Sequence, residues 1–175
     1  MEERVSPHAE IRAYVGLGSN SLDAEDMLTR AREGLSRLPG LRLNAISPLY
    51  STEPQGYTDQ PWFLNQVVEL LPASFWRPQS LLAAMLRLES KLGRVRNPDP
   101  ALRYGPRAID ADLLLFGEES CADPVCRVPH PRLVQRAFAL VPLLDIAPHV
   151  RIDGITAAHW LARLNYRLDG RRIFQ

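Results

Sequence analysis

The chain has 175 residues, with 21 basic and 20 acidic side chains and a formal net charge of +1. That balance excludes a general nucleic-acid or membrane-surface binder, which would carry a strong basic excess. A domain of this length buries roughly 70% of its unfolded surface, so 46% apolar residues suffice for a core, while two cysteines, Cys121 and Cys126, are too few for a disulfide framework or a zinc site and read as reduced thiols.

In chain order, residues 1–10 read as a disordered leader and 11–175 as a single domain. Met1 to Arg12 is mixed in charge and lacks the apolar core of a secretory signal. Arg12 to Leu17 reads as a short strand ending at Gly18. Ala24, Leu28, Ala31, Leu35 and Leu38 then recur at helical spacing, with Gly40 where the helix should stop. Leu41 to Ser51 alternates apolar and polar residues and reads as extended. The stretch from Ser51 to Pro61 has a loop's composition.

Phe63 to Leu71 is short, apolar and flanked by prolines, which favours a strand. Leu81, Met85, Leu88 and Leu92 make the stripe of a second helix, closed by Gly93. Arg94 to Arg107 holds three prolines and four arginines and is too long for a tight turn, which marks it as functional. Ala108 to Phe116 is the clearest strand. Arg132 to Leu140 and Thr156 to Leu164 read as two further helices. The longest apolar stretch, Ala137 to Leu144, is broken by Pro142 and falls far short of the ~20 residues that span a bilayer. A cytoplasmic monomer with no nucleic-acid or membrane partner is therefore expected. The order strand, helix, strand, strand, helix, strand predicts an α+β fold, the ferredoxin-like βαββαβ antiparallel sheet with helices packed on one face.

Asp110 and Asp112 carry the strongest chemical signal. Residues i and i+2 of a strand share a face, so two carboxylates stand side by side. Unpaired, they repel and raise each other's pKa; a divalent cation relieves that cost. Alternatively the Asp face is simply solvated. Upstream lie Arg94, Arg96, Arg103 and Arg107, and guanidinium groups bind phosphate oxygens bidentately. Together these suit a metal-polyphosphate complex, although Arg103 and Arg107 could instead form structural salt bridges with the two aspartates. No G-x-x-x-x-G-K-[ST] is present, which excludes a P-loop. Gly16-Leu17-Gly18-Ser19-Asn20 lacks a third glycine in register for a dinucleotide fingerprint; its glycines fit a tight turn or the close approach of a neighbouring loop.

His130, between Pro129 and Pro131, is aimed by a stiff backbone and could donate to a phosphate oxygen, or be a surface histidine in a rigid turn. His8, His149 and His159 have no partners at metal spacing. Phe63 and Asn65 share a strand face, and with Phe138 they suit a flat heterocycle that stacks on a ring and hydrogen-bonds at its edge; a core role for the phenylalanines is the alternative.

From about Tyr14 to about Pro148 the chain resembles the 6-hydroxymethyl-7,8-dihydropterin pyrophosphokinase family. The blocks that carry the resemblance are Gly18-Ser19-Asn20, Tyr50 through Pro54 to Gly56, Asp59-Gln60-Pro61 with Phe63-Leu64-Asn65, and Leu92-Gly93-Arg94. Arg103-Tyr104-Gly105-Pro106-Arg107, the Asp110 and Asp112 pair, and Val128-Pro129-His130-Pro131-Arg132 complete it. The resemblance implies ATP-dependent transfer of the β,γ-pyrophosphoryl group to 6-hydroxymethyl-7,8-dihydropterin, with AMP released, in folate biosynthesis. It implies that Asp110 and Asp112 hold two Mg²⁺ ions on ATP, with Arg96 and Arg107 beside them as catalytic residues. Glu89, Arg96, Arg103, Tyr104, Arg107, His130 and Arg136 would contact ATP, Glu89 at the ribose. Thr52, Pro54, Gln55, Phe63, Asn65 and Phe138 would hold the pterin. Three departures stand out: a longer loop between Arg96 and Arg103, Tyr104 where tryptophan is frequent, and Gln55 where an apolar residue is common. Two other classes are weighed: a ferredoxin-like nucleic-acid or nucleotide-regulatory module, disfavoured by the acid pair and the neutral charge, and a pterin binder without turnover, for which no motif is missing.

Overall fold

The computed structural model describes residues 10–54, 59–94 and 107–175. Most of the expected leader, Gln55, and the loop residues Arg96, Arg103 and Tyr104 lie outside the described residues.

The first strand, β1 (Ala13–Ser19), runs on through Gly18, and all but one of its residues are buried. The helix α1 (Ala24–Ser36) buries Ala24, Met27, Leu28, Ala31 and Leu35, the spacing of one helical face. The expected extended stretch becomes two strands, β2 (Leu41–Ile46) and β3 (Tyr50–Thr52). Pro48 between them has no N–H to give a ladder, and Ser47 fills the gap: its N–H donates to the Val67 carbonyl at 2.9 Å and its Oγ accepts the Val67 N–H at 3.0 Å. Both strands pair with the long β4 (Phe63–Pro72), β3 along its first half and β2 along its second.

The second helix, α2 (Pro78–Lys91), begins with proline at its first position and a Ser80 hydroxyl that accepts the Arg77 N–H. Gly93 closes it at φ +89°, a conformation that costs only glycine little. The edge strand β5 (Asp110–Phe116) lies antiparallel to β1. A small hairpin follows, β6 (Cys121–Ala122) with β7 (Arg127–Val128), and both cysteines are free. After a 3₁₀ turn at Leu133–Gln135 comes α3 (Ala137–Ile146), then β8 (Arg151–Ile152), β9 (Ile155–Thr156), α4 (Ala157–Leu161), β10 (Arg167–Asp169) and β11 (Arg172–Phe174).

The main sheet has the order β10-β11-β3-β4-β1-β5, with β2 also on β4. Its centre, β5-β1-β4 flanked by β2 and β3, is fully antiparallel and has the strand order of a split βαβ fold. The β3–β11 pairing is parallel, so the sheet as a whole is mixed. Among the described residues no helix is long and apolar enough to cross a membrane.

Two expectations change. The helices do not share one face. Val15, Leu17, Val68, Leu70, Ala111 and Leu113 pack against α1 and α2, whereas Tyr14, Val67 and Leu114 pack against α3 and α4 on the opposite side. The third helix is also not the expected Arg132 to Leu140. Arg136 is extended (φ −119°, ψ 99°), and the helix starts after it and runs through Pro142. Pro142 forfeits one backbone bond, but Ala137 and the whole stretch from Ala139 to Leu143 are buried, so nearly every side of the helix gains apolar contact.

At the far end of the sheet Glu69 is 2% exposed and receives the Tyr14 hydroxyl (2.9 Å), an Arg12 N–H (2.8 Å) and the Asn44 amide. Burial alone would raise its pKa, but the donors Asn44, Arg12 and Tyr14 outweigh burial and hold it below the usual glutamate range. As pH falls, the unfolded chain takes up this proton before the folded one does. The stabilisation is therefore complete above the ordinary glutamate pKa and is lost as pH drops through the folded value. Glu69→Gln is expected to be less stable at pH 7 and to lose less stability between pH 7 and pH 3, read from urea midpoints. Parallel acid limbs for the two proteins would refute this linkage.

Candidate active site

The sheet face that meets α3 carries side chains too small to fill the gap at one end. Gly16 and Gly18 of β1 form its floor, flanked by Asn65 and Val67 of β4 and by Asp110, Asp112 and Leu114 of β5. Phe138 and Ala139 of α3 roof it, and Arg107, Arg132 and Arg136 surround the acid end. The resulting cavity is about 320 Å³, within the range of small-molecule sites. Asp110, Asp112, Arg107, Arg136, Thr52, Phe63, Asn65 and Phe138, each singled out from sequence, all line it.

The two aspartates stand on one face as their spacing requires, each half-buried. Asp110 pairs with Arg94 and with Arg107. Burial would raise its pKa, but Arg94 and then Arg107 pull it below the usual carboxylate range. Asp112 accepts from Arg136 at 2.8 Å, with His130 Nε2 3.8 Å away. Each acid thus has its own cations, and the repulsion expected of an isolated pair is already offset. Arg94, grouped by sequence with the phosphate-binding arginines, is 13% exposed and is held by Asp110, by Glu89 (3.3 Å) and by the Ile109 carbonyl (2.9 Å). It builds the site rather than lining it.

Glu89, expected at the ATP ribose, lies outside the cavity lining and is 2% exposed. Its carboxylate accepts the Ala111 N–H at 2.7 Å. Ala111 sits on the edge strand, where a buried N–H with no strand beyond it needs another acceptor. Glu89 Oε1 is held within the fold, by this N–H and by Arg94. His130 stands behind Asp112. Its Nδ1 accepts the Arg132 N–H at 3.1 Å, so the neutral ring carries its proton on Nε2, the nitrogen nearer Asp112. Burial lowers its pKa, which keeps it a neutral donor at neutral pH.

At the other end Phe63 and Asn65 share a face of β4, and Thr52 lies opposite Phe63 on β3. The Asn65 amide donates to Thr52 Oγ1 at 2.6 Å. Pro54 is buried and does not line the cavity. A Cβ on Gly18 would sit 2.7 Å from Asn65 Oδ1. The glycine is there to let this side chain lie across β1, not to make a turn or admit a loop.

Asn20 explains the rest of the Gly18-Ser19-Asn20 block. Its amide donates to Gln60 (3.0 Å) and to the Pro61 carbonyl (3.2 Å), and its Oδ1 accepts the Arg107 N–H at 2.8 Å. It fastens the segment before Phe63 to the residue that enters β5. Sequence reasoning did not assign Arg132, Glu53, Gln60 or Gln66 to the site, yet all four line the cavity. Arg132 follows the His130 turn and Glu53 lies between two residues that were named, so adjacency was the available signal.

The family model of 7,8-dihydro-6-hydroxymethylpterin-pyrophosphokinase (HPPK) matches residues 14–148. The 2-amino-4-hydroxy-6-hydroxymethyldihydropteridine pyrophosphokinase of Pseudomonas aeruginosa is 44% identical over 144 residues, 82% of this chain and 85% of that one. The protein of the same name from Methylorubrum extorquens is 44% identical over 154 residues, 88% of this chain and 94% of that one. Among solved structures, Plasmodium falciparum HPPK-DHPS superposes with a TM-score of 0.65 at 14% identity, covering 91% of this chain and 43% of that one, a likeness of fold alone.

Proposed function

The chain belongs to the 7,8-dihydro-6-hydroxymethylpterin-pyrophosphokinase family, and from that premise we propose how its cavity works. The enzyme transfers a pyrophosphoryl group to hydroxymethyldihydropterin in folate biosynthesis. The donor is Mg-ATP, the group moved is its β,γ-pyrophosphoryl unit, and AMP leaves. The observation that carries this reading is the cavity itself: two aspartates and three arginines at one end, and two phenylalanines with an amide at the other.

The acid pair suits magnesium. Mg²⁺ usually takes one or two carboxylates and completes its shell with phosphate and water oxygens. Among the described residues no third His, Cys, Asp or Glu joins Asp110 and Asp112, so substrate oxygens would complete the shell. Asp110 and Asp112 would hold two ions, which would supply positive charge to neutralise the phosphate oxygens. Arg107, Arg132 and Arg136 would offset the remaining phosphate charge, and the Nε2–H of His130 would donate to a phosphate oxygen. Phe63 and Phe138 would sandwich the pterin, with Asn65 and Thr52 reading its polar edge. Among the described residues no side chain stands as an obvious general base. Positioning and charge neutralisation would do most of the work: the chain holds the substrate hydroxyl in line with the β-phosphorus and the departing AMP. A ring with the wrong edge would leave Asn65 unpaired, at about 1–3 kcal/mol. The near-neutral charge supports a protein without nucleic-acid or membrane partners, and a cytoplasmic monomer is proposed alongside.

The test is to incubate the protein with Mg-ATP and 6-hydroxymethyl-7,8-dihydropterin and to identify the nucleotide released. AMP in step with the pterin product, abolished by a chelator, is expected. Formation of ADP, or turnover indifferent to the chelator, would overturn the proposal.

A further inference from the structure

Residues 149–175 lie outside the stretch that matches the family model, yet part of this segment packs behind the strand and the helix that wall the cavity. Strand β11 lies parallel to β3, with Arg172 beside Ser51 and Ile173 beside Thr52. The Ile173 carbonyl accepts the Glu53 N–H at 3.4 Å, and Ile173 is buried with Tyr50, Ala137 and Val141. Phe174 meets Trp62, the neighbour of Phe63, edge to face at 5.1 Å.

Gln175 then crosses to α3. Its backbone N–H donates to Glu53 Oε1 at 2.6 Å, and its side-chain amide donates to the Gln135 carbonyl at 2.8 Å. Its Oε1 accepts the Ala137 N–H at 2.7 Å. That last bond matters most. The first N–H groups of a helix have no partner within it. The residue before α3, Arg136, gives no side-chain cap, and Ala137 is fully buried, away from water. Gln175 supplies the missing acceptor from 38 positions away in the chain. The turn it caps is the one that presents Arg136 and Phe138 to the cavity.

We propose that Gln175 is a positioning residue for the pterin pocket: it caps α3 and ties the Phe138 wall to the Thr52–Glu53 wall, setting the width of the ring site. This rests on the reading above that Phe138, Asn65 and Thr52 hold the pterin. Without the cap, a buried N–H is left unpaired and the first turn of α3 frays, so Phe138 loses its place at the ring site and Arg136 loosens with it, while Asp110, Asp112 and Arg107 stay where β5 and its lead-in hold them.

The test uses the full chain saturated with a non-hydrolysable ATP analogue, with the pterin alcohol titrated by its fluorescence. Gln175→Ala is expected to weaken pterin binding about three- to tenfold, and the analogue, held also by Arg107, Arg132 and the β5 acids, by a clearly smaller factor. Gln175→Glu keeps an acceptor for the Ala137 N–H but turns the donor to the Gln135 carbonyl into a second acceptor, so it is expected to recover only part of the loss. Equal weakening of both ligands, or no change in either, would overturn the proposal. Asn65→Ala separates the two layers. If it binds pterin normally, the pocket reading fails and this inference with it; if it loses pterin while Gln175→Ala does not, the inference fails alone.

Discussion

Asp112→Asn is expected to lower kcat by about 10³-fold or more, the scale on which losing one electrostatic contact to a transferring phosphoryl group is felt. The substitution keeps the shape of the side chain and removes its charge, so its effect reports metal and phosphate handling more than packing. Asp112 is the cleaner of the two acids. Its partner Arg136 lines the cavity, and Asp112 itself is 34% exposed. Asp110 is 24% exposed and shares Arg94 with buried Glu89. Asp110→Ala is therefore expected to lose activity and also about 1–3 kcal/mol of stability, because Arg94 keeps its burial but loses a counter-charge. Steady-state turnover together with thermal melting checks both: a folded Asp112→Asn protein with wild-type turnover would remove the acid from the mechanism.

The second large effect is expected at Arg136. Its guanidinium lies 2.8 Å from Asp112 and 5.3 Å above the Phe138 ring, so it joins the acid end of the cavity to the aromatic end. At 13% exposure it is close to fully desolvated, where a charge acts most strongly on a phosphate. Arg136→Ala is expected to reduce kcat about 10²- to 10³-fold. Arg136→Lys keeps the charge but not the planar fork or its stacking on Phe138, and should recover only a small part. Single-turnover measurements with saturating substrates read the effect directly. An alanine variant with an unchanged single-turnover rate would remove Arg136 from the chemical step, both directly and through Asp112.

Much of this was legible because strand and helix periods are local. The spacing of Asp110 and Asp112 was enough to place both on one face, and likewise Phe63 and Asn65. The stripes from Ala24 to Leu35 and from Leu81 to Met85 gave their helices for the same reason. What was hidden depends on distant partners. Pro142 reads as a breaker until Ala137 and the residues from Ala139 to Leu143 are seen buried on nearly every side. The side of the sheet that α3 chooses decides where the cavity forms, and no local pattern encodes it. Arg94 and Glu89 look like free charges in a sequence, whereas the unfilled edge of β5 claims both. Gly18 is a floor tile for Asn65, a relation between two strands. Residues 167–175 carry no motif, and their role appears only once β11 is seen beside β3.

The most direct measurement is to count divalent ions by electron paramagnetic resonance, with Mn²⁺ in place of Mg²⁺, a non-hydrolysable ATP analogue and the pterin alcohol present. Two ions per chain in the native protein, reduced in number or tenfold or more in affinity by Asp112→Asn, is the result expected. Ion binding identical in the native and Asp112→Asn proteins would contradict the claim that this strand's carboxylates tether the nucleotide beside the ring pocket.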